Sequence, residues 1–309
     1  MWDAVRRRGS RGAILAAALT GAVCGAIPGG SAAAPAGLAE ILAAAPAADW
    51  RTVDPDNTLY LTLPQGRVVI ELAPDFAPNH VANIKRLARA RFYDGLFVVR
   101  AQDNYVVQWG DAQSTHPTGE GRLRLPAEFD RPYGPADAFM ALPDPDTYAP
   151  ITGFAGDFPA ARDPLAGRAW LAHCYGMVGA GRDNDAGSGG GPELYAVTGQ
   201  APRQLDRNVT LVGRVIDGME VFSGLPRGHG EMGFYQKLGE RVPILSVRVA
   251  ADLPPAERTA FQVLKTDSAT FAAVVQNRRF RRDSWYVKAV GRIDVCNLPL
   301  PVRIAPARP

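Results

Sequence analysis

The chain has 309 residues, 47% hydrophobic and 21% charged, which suits one globular domain or one domain with a smaller appendage. Its formal net charge of +3 belongs to its first residues: residues 1–36 hold four of the 34 basic and one of the 31 acidic residues, leaving 30 of each beyond. No basic field remains to attract nucleic acid or an anionic membrane.

In chain order, Arg6, Arg7, Arg8 and Arg11 precede the apolar run "AILAAALTGAVCGAI" and the small residues "GGSAAAPAG". Such a run, roughly 15 residues long, is too short to span a bilayer, so residues 1–36 are expected to be a secretory signal peptide. With its prokaryotic-looking start, this predicts a periplasmic protein with no stable membrane insertion after cleavage. Residues 37–57 are Ala-rich and read as a linker with a short helix. In "TLYLTLPQGRVVIEL", Leu59, Leu61 and Leu63 alternate with Tyr60 and Thr62 before a Pro64-Gln65-Gly66 turn, predicting a β-hairpin. Val81, Ile84, Leu87 and Ala88 then recur at helical spacing behind Pro78, which a first helical turn tolerates. "LFVVRAQDNYVVQWGD" reads as two short strands around Asp103-Asn104.

Residues 112–172 are rich in Pro, Gly and Asp without a sustained period, and read as a long surface excursion. Strand-like segments resume at "RAWLAHCYGMVGA" and "ELYAVTG", on either side of a glycine-rich loop, and continue through "VTLVGRVIDGMEVFSGL" and "VPILSVRVA". Many short strands with two helices suit a barrel capped by helices. Beyond residue 250, "TDSATFAAVVQNRRF" reads as a helix capped by Asp267 or Ser268, and "WYVKAVGRIDVCN" as a pair of strands. Cys174 and Cys296, 122 residues apart, remain after removal of the signal; in an exported chain they point to a disulfide, the other reading being two buried thiols.

Several chemistries find little support. "GRDNDAGSGGGP" lacks the lysine of a phosphate-binding loop. "AGSGG" around Ser188 is a degenerate nucleophile elbow, but a strand rather than a helix follows it. His80, His116, His173 and His229 do not stand at metal-ligand spacing. "RRFRR" reads as a solvated helix end.

"VVIELAPDFAPNHVANIKRLARARFYDGLFVVRAQDNYVVQWGD" resembles the cyclophilin family of peptidyl-prolyl isomerases, with its strand, "AP", helix, "FYDG", arginine-bearing strand and closing Gln-x-Gly-Asp run. The resemblance resumes at "GMVGAGRDNDAGSGGGPELYAV" and "QLDRNVTLVGRVIDGMEV". It implies a mainly β fold: an eight-stranded antiparallel closed barrel capped by two α-helices over residues 58–250, with residues 112–172 inserted beside the groove. Residues 251–309 would be a small α+β extension. It places Arg100 on the catalytic arginine and Gln108 on the substrate-orienting glutamine. Tyr105, Val106, Glu193, Leu194, Tyr195 and Leu205 fall on substrate-binding positions. Tyr105, Leu194 and Tyr195 replace phenylalanines, Val106 a methionine and Glu193 a glutamine; Gln204 and Val209 stand where many members have tryptophan and histidine. The expected partner is a proline-containing polypeptide segment, with no cofactor. The alternative is a non-catalytic peptide-binding or chaperone module on the same scaffold. The loop glycines would let a peptide backbone approach closely.

Overall fold

The computed structural model describes residues 36–111, 113, 115–281 and 285–306, so the expected signal peptide lies outside the described residues apart from Ala36. The first elements are helix α1 (Leu38–Ala43) and strand β1 (Trp50–Thr52). The hairpin follows as β2 (Thr58–Leu63) and β3 (Gly66–Leu72), paired from Thr58 opposite Glu71 to Leu63 opposite Gly66. Leu59, Leu61 and Leu63 face one core with Val68 and Ile70, while Tyr60 and Val69 pack into another. Both faces of the hairpin are therefore covered, which is why its alternation is weak in polarity. Helix α2 (Pro78–Arg89) starts on its proline and buries Val81, Ile84, Leu87 and Ala88. Strands β4 (Phe97–Ala101) and β5 (Val106–Gly110) flank a turn in which Asn104 adopts φ 49°, a left-handed conformation asparagine tolerates.

The expected surface excursion contains a sheet of its own. Strands β6 (Arg131–Pro132), β7 (Met140–Ala141), β8 (Ile151–Ala155), β9 (Phe158–Asp163) and β10 (Arg168–Leu171) pair antiparallel in the order β6-β10-β9-β8-β7. Gly153 and Pro159 interrupt the two longest of these strands and hide their periodicity.

The chain then returns to the first sheet with β11 (Met177–Ala180), β12 (Glu193–Val197), β13 (Leu211–Asp217), helix α3 (Met219–Ser223), β14 (Val242–Pro243) and β15 (Ser246–Val249). The order is β14-β4-β5-β12-β11-β13-β3-β2-β15. Its two ends are consecutive in sequence. Ile244 N donates to Leu96 O beside β4, and Leu245 N to Thr62 O of β2. One continuous stretch thus joins both edges, an arrangement compatible with an eight-stranded closed barrel. Phe222 of α3 stacks on Trp109 inside it, ring centroids 5.1 Å apart.

A second core lies beside the first. Strand β16 (Phe261–Leu264) pairs with β1 on one side and β17 (Val302–Ile304) on the other. Helix α4 (Ala269–Arg279) is capped by Ser268, whose Oγ accepts from Phe271 N at 3.1 Å. Phe271, Val274 and Val275 of α4 are buried with Phe154, Ala160 and Leu171 of the inserted sheet and with Trp50 of β1. The expected linker and C-terminal extension are therefore parts of one packed unit with the insertion. The strand pair expected in "WYVKAVGRIDVCN" is not formed: described residues 285–294 are turns and irregular backbone, and the strand that joins β16 comes later, at 302–304. Cys174 and Cys296 form a disulfide with Cα atoms 4.8 Å apart, tying this unit to the start of β11.

Polar contacts join the two cores. Glu71 of β3 accepts from Arg51 Nη1 at 2.6 Å and from Arg214 Nη2 at 3.3 Å, while Arg51 Nε donates to Asp157 at 2.8 Å. Glu128, in the insertion, accepts the otherwise orphaned N–H groups of Asn79 and His80 at the start of α2, both at 3.0 Å.

Candidate active site

Strict alternation along β4 would put Arg100 on the same face as Val98, inside the barrel. A bulge prevents this: Val98 opposes Trp109, Arg100 opposes Gln108, and Val99 is the extra residue between them. Val98 and Ala101 stay in the core, and Arg100 turns to the outer face. Gln108 in turn opposes Tyr195, and Tyr195 opposes Gly179. Arg100, Gln108 and Tyr195 thus form a row across β4, β5 and β12, with Gly179 of β11 at its end. A Cβ at Gly179 would lie 2.3 Å from the Tyr195 hydroxyl oxygen, so the phenol requires glycine there.

The guanidinium of Arg100 is held from three sides. Its Nε donates to Met232 O at 2.6 Å, one Nη donates to Gln108 Oε1 at 3.0 Å, and the other donates to Gln102 Oε1. Its carbon lies 5.4 Å from the Tyr105 ring centroid and 5.3 Å from that of Phe234. Three of its five N–H donors are used, leaving one on each Nη for a ligand. Burial lowers its pKa, against the opposing influence of Tyr105 and Glu193. Gln108 Nε2 donates to Glu193 Oε1 at 2.5 Å. Burial pushes the Glu193 carboxyl above the usual carboxylate range, although the bond from Gln108 and the charge of Arg100 pull it back. The Gln108 amide is therefore fixed between a cation and an acid, with one N–H left over.

Beside this row opens a cavity of about 730 Å³. Tyr105, Val106, Tyr195, Leu205 and Val209 give it an apolar wall, Arg100 and Gln108 a polar edge, and residues 181–185 with Ser188 the far side. Val106, Tyr195 and Val197 pack as a small cluster separate from the barrel core, flanked by Tyr105 and Val209. Of the residues expected at the site, Leu194 is not brought to it: it opposes Trp109, is 2% exposed and belongs to the barrel core. Neighbours on a strand face opposite ways, so Glu193 and Tyr195 reach the outer face and Leu194 does not. Glu193 touches the site through Gln108.

The glycine-rich loop differs from its expected role. A Cβ at Gly181 would meet Glu193 Oε2 at 2.8 Å, and one at Gly190 would meet Leu123 O at 2.5 Å. At these positions glycine admits the protein's own atoms. The Ser188 hydroxyl donates to Asp185 O at 2.5 Å and accepts from Asp183 N at 2.8 Å, so it fastens the loop. Sequence reasoning matched Val209 to a family position without counting it among the substrate-binding residues, and it missed the Met232 carbonyl altogether. Met232 adopts φ 53°, which nothing in its residue type announces.

The family model for "Cyclophilin type peptidyl-prolyl cis-trans isomerase/CLD" matches residues 58–249, and the chain belongs to this family. It is 38% identical over 89 residues to a probable peptidyl-prolyl cis-trans isomerase of Brucella suis, covering 25% of this chain and 45% of that protein. It is 39% identical over 66 residues to peptidyl-prolyl cis-trans isomerase B of Bacillus subtilis, covering 21% of this chain and 46% of that protein. The chain thus spans less than half the length of these relatives. The crystal structure of cyclophilin AquaCyp293 from Hirschia baltica aligns with a TM-score of 0.67 at 28% identity, over 83% of this chain and 94% of that one. That likeness covers more of this chain than the family match over residues 58–249.

Proposed function

We propose that this protein is a peptidyl-prolyl cis-trans isomerase that accelerates rotation about Xaa-Pro bonds in exported polypeptides as they fold, with Arg100 and Gln108 as its catalytic residues. The charged and apolar pattern of residues 1–36 supports a periplasmic location. Among the described residues no helix is long and apolar enough to cross a membrane.

Rotation about an amide meets a barrier of about 18–20 kcal/mol because resonance stiffens the C–N bond. Prolyl bonds have little preference between isomers yet cross in tens to hundreds of seconds. No bond breaks and no proton leaves. Acceleration requires only that the twisted amide be bound more tightly than either planar form. Twisting localises a lone pair on the prolyl nitrogen, and a fixed N–H donor aimed there stabilises the twisted state. Arg100 is such a donor: three hydrogen bonds orient it and two N–H groups remain free. The apolar wall of Tyr105, Val106 and Leu205 suits a proline ring, and the spare N–H of Gln108 suits a neighbouring peptide carbonyl.

The observation that carries this reading is the juxtaposition of the anchored Arg100 guanidinium with the apolar cavity. A protease-coupled assay on an Ala-Pro tetrapeptide tests it. Wild type should accelerate isomerisation, and Arg100→Ala should lose about 10²-fold or more of that rate, as expected for removal of a preorganised donor. Equal inertness of both proteins, with peptide still bound, would leave a peptide-binding module instead.

A further inference from the structure

Behind the cavity wall runs a buried chain of polar side chains that the isomerase chemistry does not use. It begins at Asp146, between β7 and β8 of the inserted sheet. Asp146 accepts both Nη groups of Arg203, at 3.1 and 3.2 Å. Arg203 Nε donates to Asp206 Oδ2 at 2.6 Å. The other oxygen of Asp206 accepts from His173 N and faces His173 Nδ1, both at 2.9 Å. His173 Nε2 lies 2.9 Å from the Tyr195 hydroxyl. The side chains of Asp146 and Arg203 are each 3% exposed, and that of His173 is fully buried. In a neutral imidazole the Nδ1–H facing Asp206 leaves Nε2 as an acceptor, so the tyrosine hydroxyl donates to it.

We propose that Asp146 and Arg203 are positioning residues for the proline-binding wall, through which the insertion sets the cavity's affinity for peptide. Two parts of that wall hang on this one chain. Leu205 lies in the single turn between Arg203 and Asp206, so both ends of its turn are clamped. Tyr195 is held at its hydroxyl by His173 and lies over Gly179, the residue its phenol requires. Burying two carboxylates and a guanidinium is unfavourable unless each is paired and hydrogen-bonded, which these are. Of the members of this polar chain only Tyr195 lines the cavity; Asp146, Arg203, Asp206 and His173 do not. The chain therefore governs where the wall stands, and so peptide affinity, while the barrier to rotation stays with Arg100.

This inference takes the contents of the cavity from the isomerase reading, and one experiment separates the two. Asp146→Asn and Tyr195→Phe are made singly and together. The dissociation constant of an Ala-Ala-Pro-Phe peptide and its exchange rate at saturation are both measured by NMR. Each single change should weaken binding about three- to tenfold, and the double variant should be no weaker than the worse single one, because residues in one hydrogen-bonded network couple. For Asp146→Asn, which does not line the cavity, the saturating exchange rate should stay within about twofold of wild type, the scale on which a barrier term would be visible. Additive losses, or losses that appear in the saturating rate instead of the dissociation constant, would overturn the proposal. Tyr195→Phe removes a single oxygen, so an unchanged dissociation constant for it alone also overturns the proposal, whatever Asp146→Asn does to folding. A wild type that binds peptide without accelerating exchange would sink the isomerase reading and leave the binding cycle to decide this one.

Discussion

The outer face of the barrel and the second core are built on opposite plans. The row of Arg100, Gln108 and Tyr195 stands on β4, β5 and β12, where neighbouring strands fix each side chain and a single bulge decides the orientation of the arginine. The second core is assembled from three remote stretches: α1 and β1, the inserted sheet, and the segment from β16 to β17. Residues from all three share one buried apolar cluster. The proposed chemistry thus rests on local strand geometry, and the architecture around it rests on long-range assembly. The Asp146–Arg203–Asp206–His173–Tyr195 chain is where the two plans meet.

If the second core were a loosely attached appendage, disturbing its junction would leave the barrel alone. Glu71→Ala breaks a buried junction and leaves Arg214, itself buried, without its carboxylate. It should lower unfolding stability by about 3–5 kcal/mol, the usual effect of removing one partner of a buried ion pair. Urea unfolding should shift as a single transition; a barrel midpoint that does not move would separate the two halves. Next in size, Cys296→Ser opens a link spanning 122 residues and should lose about 2–4 kcal/mol in the same experiment. Its saturating isomerisation rate should be unchanged, since neither cysteine lines the cavity beside Arg100.

The smallest effect belongs to the site's own acid. Burial raises the Glu193 carboxyl above its ordinary value, so the folded protein holds this proton more readily than the unfolded chain does. Ionised Glu193 therefore opposes folding fully above its folded-state pKa, and the penalty disappears as pH falls below the unfolded-state pKa. Glu193→Gln should raise the urea midpoint at pH 7, with the difference from wild type vanishing in acid. The opposite trend, a variant less stable at pH 7 than wild type, would mean that the charged acid supports the row through Gln108.

Much of the barrel was legible in the sequence because its strands are short, adjacent and punctuated. The 58–72 hairpin, Pro78 at the start of α2 and Ser268 at the cap of α4 each follow from local residue chemistry. Of the candidate site, the family resemblance singled out Arg100, Gln108, Tyr105, Val106, Tyr195 and Leu205, and these six line one cavity. Leu194 was misplaced because motif position ignores strand parity, and alternation alone would have returned it to the core. The inserted sheet was not legible because Gly153 and Pro159 break its pattern and its partners in α4 are remote in sequence. Met232 contributes a backbone carbonyl, a group every residue type carries, so its bond to Arg100 has no sequence signature.

The central claim is that an oriented guanidinium favours the twisted amide over the planar one. It is tested most directly by NMR exchange spectroscopy on an Ala-Pro peptide with wild type and Arg100→Lys. Lysine keeps the charge and loses the planar fork that Met232, Gln108 and Gln102 orient. The account predicts peptide affinity within about twofold of wild type and saturating exchange slowed by about tenfold or more, the signature of an interaction made only in the transition state. Exchange as fast with lysine as with arginine would contradict it.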